Sequence, residues 1–247
     1  MKRKIKKYGT LFLFLCAILS IQAQNKTDYV YDFPIRPGMS EWANLKNETE
    51  RFAVLQIPPE LLQSMSTENL IITCLNYPAF GDYSAFEFTN GINHVINHFN
   101  GLQELLLRED APAKMVSLYA KLEVSTTSIE SINTEFWGLK LCYFELLLTK
   151  NEIIDRLNEA EKISLMKEIQ KKITDRINDS EQRYSMFSIE PSLLITAKVL
   201  ERSNYQAFQQ KRNENAAMER FLHTGELQDM LLFNDLMEMG THFINAK

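Results

Sequence analysis

Glycine and proline are scarce in this chain, 8 and 7 of 247 residues, about half of the ~12% usual for the pair. That leaves too few turn residues for a many-stranded sandwich or barrel. Cysteine is rarer still, with three in all, which excludes a disulfide-dense small scaffold. The sequence contains no Gly-rich phosphate loop, no G-x-S-x-G elbow and no H-E-x-x-H pair, so nucleotide binding, hydrolase-fold catalysis and zincin chemistry lack a local signature. Beyond residues 1–7 no basic patch forms, and DNA, RNA and anionic membranes are set aside as partners because each needs clustered cations.

What is present begins at the first residue. Lys2, Arg3, Lys4, Lys6 and Lys7 precede an apolar run from Leu11 to Ile21, and Ala23 precedes Gln24. This is the pattern of a signal peptide over residues 1–23, cleaved after Ala23. The run is about half of the ~20 residues that span a bilayer, so no integral membrane segment is expected after cleavage. Cys16 does not make a lipobox, because the large residues Phe14 and Leu15 stand before it. The expected location is outside the cytoplasm, periplasmic or secreted, in a Gram-negative-type bacterium. Removing residues 1–23 leaves 22 Lys and Arg against 32 Asp and Glu, a net charge of about −10, which favours solubility and disfavours polyanion partners.

An apolar content of 45% with 11% aromatics suffices for a large core. Apolar residues recur at three and four, so the expected fold is all-α, an irregular array or bundle of about eight to ten helices. Residues 24–39 read as an extended lead-in, held out of helix by Pro34 and Pro37 and packing Tyr29, Tyr31 and Phe33 on the body. Residues 40–123 form an N-terminal helical module and 134–247 a C-terminal helical region packed with it as one body, with the Ser/Thr-rich stretch 124–133 as the internal boundary.

Within these spans Ser40 is expected to cap a helix through Trp42, Leu45, Phe52 and Leu55 to Ile57. Ser66 caps a helix over 67–76, and 77–83 form a loop. Residues 84–99 place Phe88, Ile92, Val95, Ile96 and Phe99 on one face. Residues 136–148 read as a central helix covered on most sides. In 151–179, Ile163, Met166, Ile169, Ile173 and Ile177 line one side, while Lys171, Lys172 and Asp175 face solvent. Ser188 caps the next helix, and two more cover 205–222 and 227–243.

Between residues 52 and 122 the runs Phe52-Ala-Val-Leu-Gln-Ile-Pro-Pro-Glu-Leu-Leu, Ser66-Thr-Glu-Asn-Leu, Leu75-Asn-Tyr-Pro and Phe99-Asn-Gly-Leu-Gln-Glu-Leu-Leu-Leu-Arg-Glu-Asp-Ala resemble a helical module of uncharacterised exported bacterial proteins. The resemblance covers about a third of the chain. It implies a recurring helical unit and brings no catalytic residue, ligand or partner with it.

Several side-chain groupings bear on chemistry. His94 and His98 share a helix face and could chelate a metal, but four ligands are usual, and Glu87 stands about 10 Å further along the axis. His223 or His242 would have to complete the set, so no metal and no cofactor are expected. Asn90, Asn93, Asn97 and Asn100 form a second stripe. Asn93 and Asn97 could bind a polar ligand such as a glycan, or the stripe could tie its helix to the loop at 77–83. Cys74 and Cys142 could close a disulfide in an oxidising compartment, though their apolar helical settings suit two core thiols. Phe136, Trp137, Tyr143 and Phe144 could stack on a sugar, but at helical spacing in so apolar a stretch core packing is the better account. The expectation is an exported, non-catalytic binding or interaction module with a protein or glycan partner. The alternatives are a small exported hydrolase acting on glycan or peptide, and a lipid-binding helical shell, which would need an empty apolar cavity.

Overall fold

Three asparagines divide this chain into more and shorter helices than hydrophobic spacing alone suggests. The computed structural model describes residues 29–181 and 183–246, and the regular structure among them is helical, with no strand. The expected signal peptide and residues 24–28 of the lead-in lie outside the described residues. The helices are α1 (Ser40–Ala43), α2 (Glu48–Val54), α3 (Pro59–Ser64), α4 (Thr67–Leu75), α5 (Phe88–His98), α6 (Asn100–Leu107) and α7 (Ala111–Tyr119). After a connection without helix follow α8 (Trp137–Leu148), α9 (Asn151–Ile154), α10 (Glu159–Ile177), α11 (Glu190–Arg202), α12 (Gln206–Glu214), α13 (Ala216–Thr224) and α14 (Met230–Asn245). Two 3-10 turns, Phe80–Ala85 and Met186–Ser188, complete the set. None of these helices is long and apolar enough to cross a membrane.

Each unexpected break is an asparagine acting as an N-cap. The helix expected from Ser40 to Ile57 is two, because the Asn47 side chain accepts from Glu50 N–H at 2.9 Å while the Glu50 carboxylate accepts from Lys46 N–H at 2.8 Å. Asn158 does the same at the start of α10, in a reciprocal capping box with Glu161. Asn215 accepts from Ala217 N–H at 2.9 Å and separates α12 from α13. Such side chains satisfy amides that a continuous helix would bond internally, so they stabilise a new start. Ser66 caps α4 as expected. Ser40 and Ser188 do not cap: Ser40 is already inside α1, and Ser188 closes a 3-10 turn by donating to the Ser185 carbonyl.

A single buried apolar cluster runs from Tyr31 to Phe243. At its centre α8 buries ten of its twelve residues and packs against α5, α7, α11 and the turn at 80–85. On α5 the predicted face is buried at Phe88, Ile92 and Val95, and at Phe99 just beyond it. Gly91 brings α5 against the turn at 80–85, for a Cβ there would lie 1.9 Å from the Tyr83 carbonyl oxygen. In the lead-in, Tyr31 and Phe33 are buried whereas Tyr29 is 45% exposed. Phe33 meets Tyr77 edge-on, and Tyr77 stacks on Phe99 at 4.1 Å.

One face of α10 departs from expectation. Lys172, expected in solvent, is buried, with its ammonium 4.5 Å from the centre of the Tyr119 ring and 3.1 Å from Glu168. Next to it the buried Arg176 binds both oxygens of the fully buried Glu145, at 2.9 and 3.2 Å, and donates to Ser192 Oγ at 2.7 Å. Tyr119 donates to the same carboxylate at 2.6 Å. Because α7, α11 and α14 all pack on α10, its covered surface is wider than its apolar stripe. Ile177, expected inside, is exposed at the end of that stripe.

Candidate functional site

The rings of His94 and His98 lie 4.4 Å apart on α5. The His98 ring stacks on Phe52 at 4.3 Å, and its Nδ1 lies 2.8 Å from the His94 carbonyl oxygen, so one ring nitrogen is already engaged. Among the described residues no group of three or more His, Cys, Asp or Glu has metal-ligating geometry. The Asn93 side chain accepts from Lys150 Nζ at 2.6 Å, whereas Asn97 is exposed and it is its main-chain carbonyl that accepts from Gln103 Nε2 at 3.1 Å. Asn100 brackets Ile57 through both its N–H and its C=O, and Asn90 donates to Glu87. These amide contacts do not reach 77–83 as the stripe suggested. Close packing at Gly91 makes that contact instead. Cys74 and Cys142 are both buried and free, so the disulfide that the sequence allowed is not formed. Burial pushes both thiols up, Cys142 to about 12, which suits inert core sulfur.

Three segments distant in sequence line a cleft of about 680 Å³. The lead-in supplies one wall with Tyr31, Phe33 and the Asp32–Arg36 ion pair at 2.8 Å. Tyr77, Pro78 and Phe80 form the back, and residues 131–136 form the opposite wall. Asn76 fastens that wall: its amide donates to the Ser131 carbonyl at 2.7 Å and accepts from Asn133 N–H at 2.9 Å. Asn133 then orients Glu135 by accepting from its N–H. An unsecured connection of this length would carry its aromatic and charged side chains in many positions; these bonds fix them.

Lys140, on the first turns of α8, is a buried cleft-lining residue, 3% exposed. Its ammonium donates to the Asn133 carbonyl at 2.7 Å and lies 5.1 Å from the centre of the Phe80 ring. No carboxylate among the described residues forms an ion pair with it. Burial pulls its pKa down to about 8, with the charge of Glu135 opposing the shift. Tyr77 also lines the cleft, and its buried hydroxyl has no hydrogen-bond partner.

Phe136 stands at the rim. Its backbone is left-handed, with φ 55° and ψ 36°, and its side chain is 65% exposed. For a bulky residue that conformation costs about 1–2 kcal/mol, and exposure of the ring adds no core packing in return. By contrast Trp137, Tyr143 and Phe144 are core residues, and Trp137 Nε1 donates to the Glu123 carbonyl. Core packing therefore explains three of that aromatic group and fails for Phe136. Sequence reasoning missed Lys140, although a lone cation between Leu139 and Leu141 in so apolar a run was the available signal.

A second cleft, about 350 Å³, shares Pro37 and Pro78 with the first and is lined by Trp42, Phe52, Phe86 and His94. Its carboxylates, Glu48 and Asp82, are exposed. Those of the larger cleft, Asp32 and Glu135, are exposed as well. A glycosidase needs a protonated acid held in a water-poor pocket opposite a second carboxylate; in the second cleft burial, with the charge of Glu48, pushes the Asp82 carboxyl up against the opposing charges of His94 and His98. The buried Glu145–Arg176 pair joins α8 to α10, and Arg176 also lines a third cleft with Asp179 and Tyr184.

Comparison of the chain with protein-family models, with curated proteins and with solved structures yields no match.

Proposed function

We propose that this is an exported, non-catalytic module that binds a glycan segment in the cleft between the lead-in and residues 131–140. The observation that carries the reading is Phe136, a ring held at the cleft rim by an unfavourable backbone conformation and left in solvent. Strain of this kind persists where surrounding structure enforces it, and it concentrates at ligand-contacting positions. A volume of about 680 Å³ is in the range of small-ligand sites, and flat aromatic faces beside fixed polar groups suit sugar rings. A peptide partner is the weaker reading, since the described residues offer no sheet edge for strand addition. Asp32 and Glu135, the carboxylates of this cleft, are exposed, which favours binding over hydrolysis there. The export part of the proposal rests on the charged start, the apolar run Leu11 to Ile21 and the small residue Ala23.

Titration calorimetry of the mature chain against a panel of soluble oligosaccharides and peptides tests this. Saturable binding of an oligosaccharide, weakened tenfold or more by Phe136→Ala with the circular dichroism spectrum unchanged, is the expected result. Binding confined to peptides, or cleavage of a panel member, overturns it.

A further inference from the structure

Lys140 is a buried cation that forms no ion pair among the described residues, Glu135 acting on it only at longer range. A lysine ammonium has three donors, and one is spent on the Asn133 carbonyl. Removing a charge from water without a partner of opposite sign is costly, so natural buried charges are paired. The two buried cations of α10 follow that rule, Arg176 with Glu145 and Lys172 with Glu168. Lys140 does not, although a neutral residue of similar length would pack there at lower cost. What distinguishes it is the combination of a cleft wall and no ion-pair partner: Arg176 also lines a cleft but is paired with Glu145, and Lys172 is paired with Glu168.

We infer that the glycan bound in this cleft is acidic, and that Lys140 receives its carboxylate or sulfate group as the missing counter-ion. The inference rests on the cleft being the binding site. The rim carboxylates do not oppose it strongly. Asp32 is ion-paired to Arg36 at 2.8 Å and both are exposed, while Glu135 is exposed, forms no ion pair among those described and acts on Lys140 only in part, burial being the larger effect. Charges in water interact weakly at a distance, whereas an ammonium in a low-dielectric floor acts strongly on an anion that reaches it. The lowered pKa of Lys140 agrees with this geometry, since it records an ammonium held without enough compensating charge.

The test uses the mature chain with three probes, an oligogalacturonide, a sulfated oligosaccharide and a neutral oligosaccharide of equal length, and sodium acetate as the control for a free anion. Titration is repeated with Lys140→Met and with Phe136→Ala. The expected result is that one acidic probe binds at least tenfold more tightly than the neutral one. That preference disappears in Lys140→Met, and the probe that is preferred identifies carboxylate or sulfate. Phe136→Ala is expected to weaken both acidic and neutral probes alike. Equal affinity for acidic and neutral probes overturns the inference and leaves the glycan-binding reading standing, whereas no binding of any oligosaccharide overturns both. Acetate binding as tightly as the acidic oligosaccharide would reduce the site to one for free anions and overturn the inference too. Should Lys140→Met fold poorly, Lys140→Gln serves, with the same expected loss of preference.

Discussion

Lys140 and Gly91 are the residues whose individual chemistry matters most to this account. The Lys140 ammonium has a folded-state pKa of about 8 against an ordinary 10.5. Below pH 8 both folded and unfolded chains hold the proton, and the full cost of burying the charge is present. Between pH 8 and 10.5 the folded chain releases the proton first, so stability should rise with pH across that window. Lys140→Met should therefore be more stable than the parent at pH 7, by about 1–3 kcal/mol, with the difference vanishing near pH 10.5. Chemical denaturation at several pH values reads this directly, and an advantage that grows with pH would refute it. Gly91→Ala should cost about 3 kcal/mol or more, because the added methyl would meet the Tyr83 carbonyl at 1.9 Å and backbone must move. A thermal melt close to the parent's would show that α5 does not approach the turn so closely. At this scale little was legible in the sequence. The apolar face of α5 followed from 3.6-residue spacing, but a lone Lys in an apolar helix and a Gly at a close approach take their meaning from what packs opposite.

Among the elements, α10 shows why amphipathic patterning locates a helix better than it locates the helix's buried surface. Its apolar stripe was evident, yet α7, α11 and α14 cover more than that stripe and enclose Lys172 and Arg176. The result is a buried pair whose two halves depend on each other. Arg176→Met should destabilise by about 3–5 kcal/mol, since Glu145 would keep its burial and lose its partner. The double variant Glu145→Leu with Arg176→Met should lose less than that single change, even with Tyr119 and Ser192 each deprived of a partner. A double-mutant cycle in denaturant measures the difference, and a double variant worse than the sum of its singles would contradict the pairing. Helix boundaries were legible where prolines and Ser66 stand, and illegible at Asn47, Asn158 and Asn215. An asparagine in a polar helical stretch can face water or cap a new helix, and only the path of the following backbone decides which.

At the scale of the whole molecule, fold class was legible because low glycine and proline content and helical spacing agree along the entire chain. The cleft was not, for its walls come from residues 31–36, 76–80 and 131–140, and no local pattern joins segments so far apart. The histidine and asparagine stripes were visible because one helix carries them, and that same locality made them poor guides to a site that three segments build. The proposed export gives a sharp expectation of its own: protein recovered from the native host should begin at Gln24, which intact mass spectrometry reads, and a chain retaining Leu11 to Ile21 would contradict it. The central claim, that the cleft beside Phe136 and Lys140 is the place where a glycan binds, is tested most directly by amide chemical-shift mapping during titration with an oligosaccharide. The account predicts saturable shifts concentrated at residues 31–36, 76–80 and 131–140; shifts centred instead on the cleft of Trp42, Phe52 and His94, or none that saturate, would contradict it.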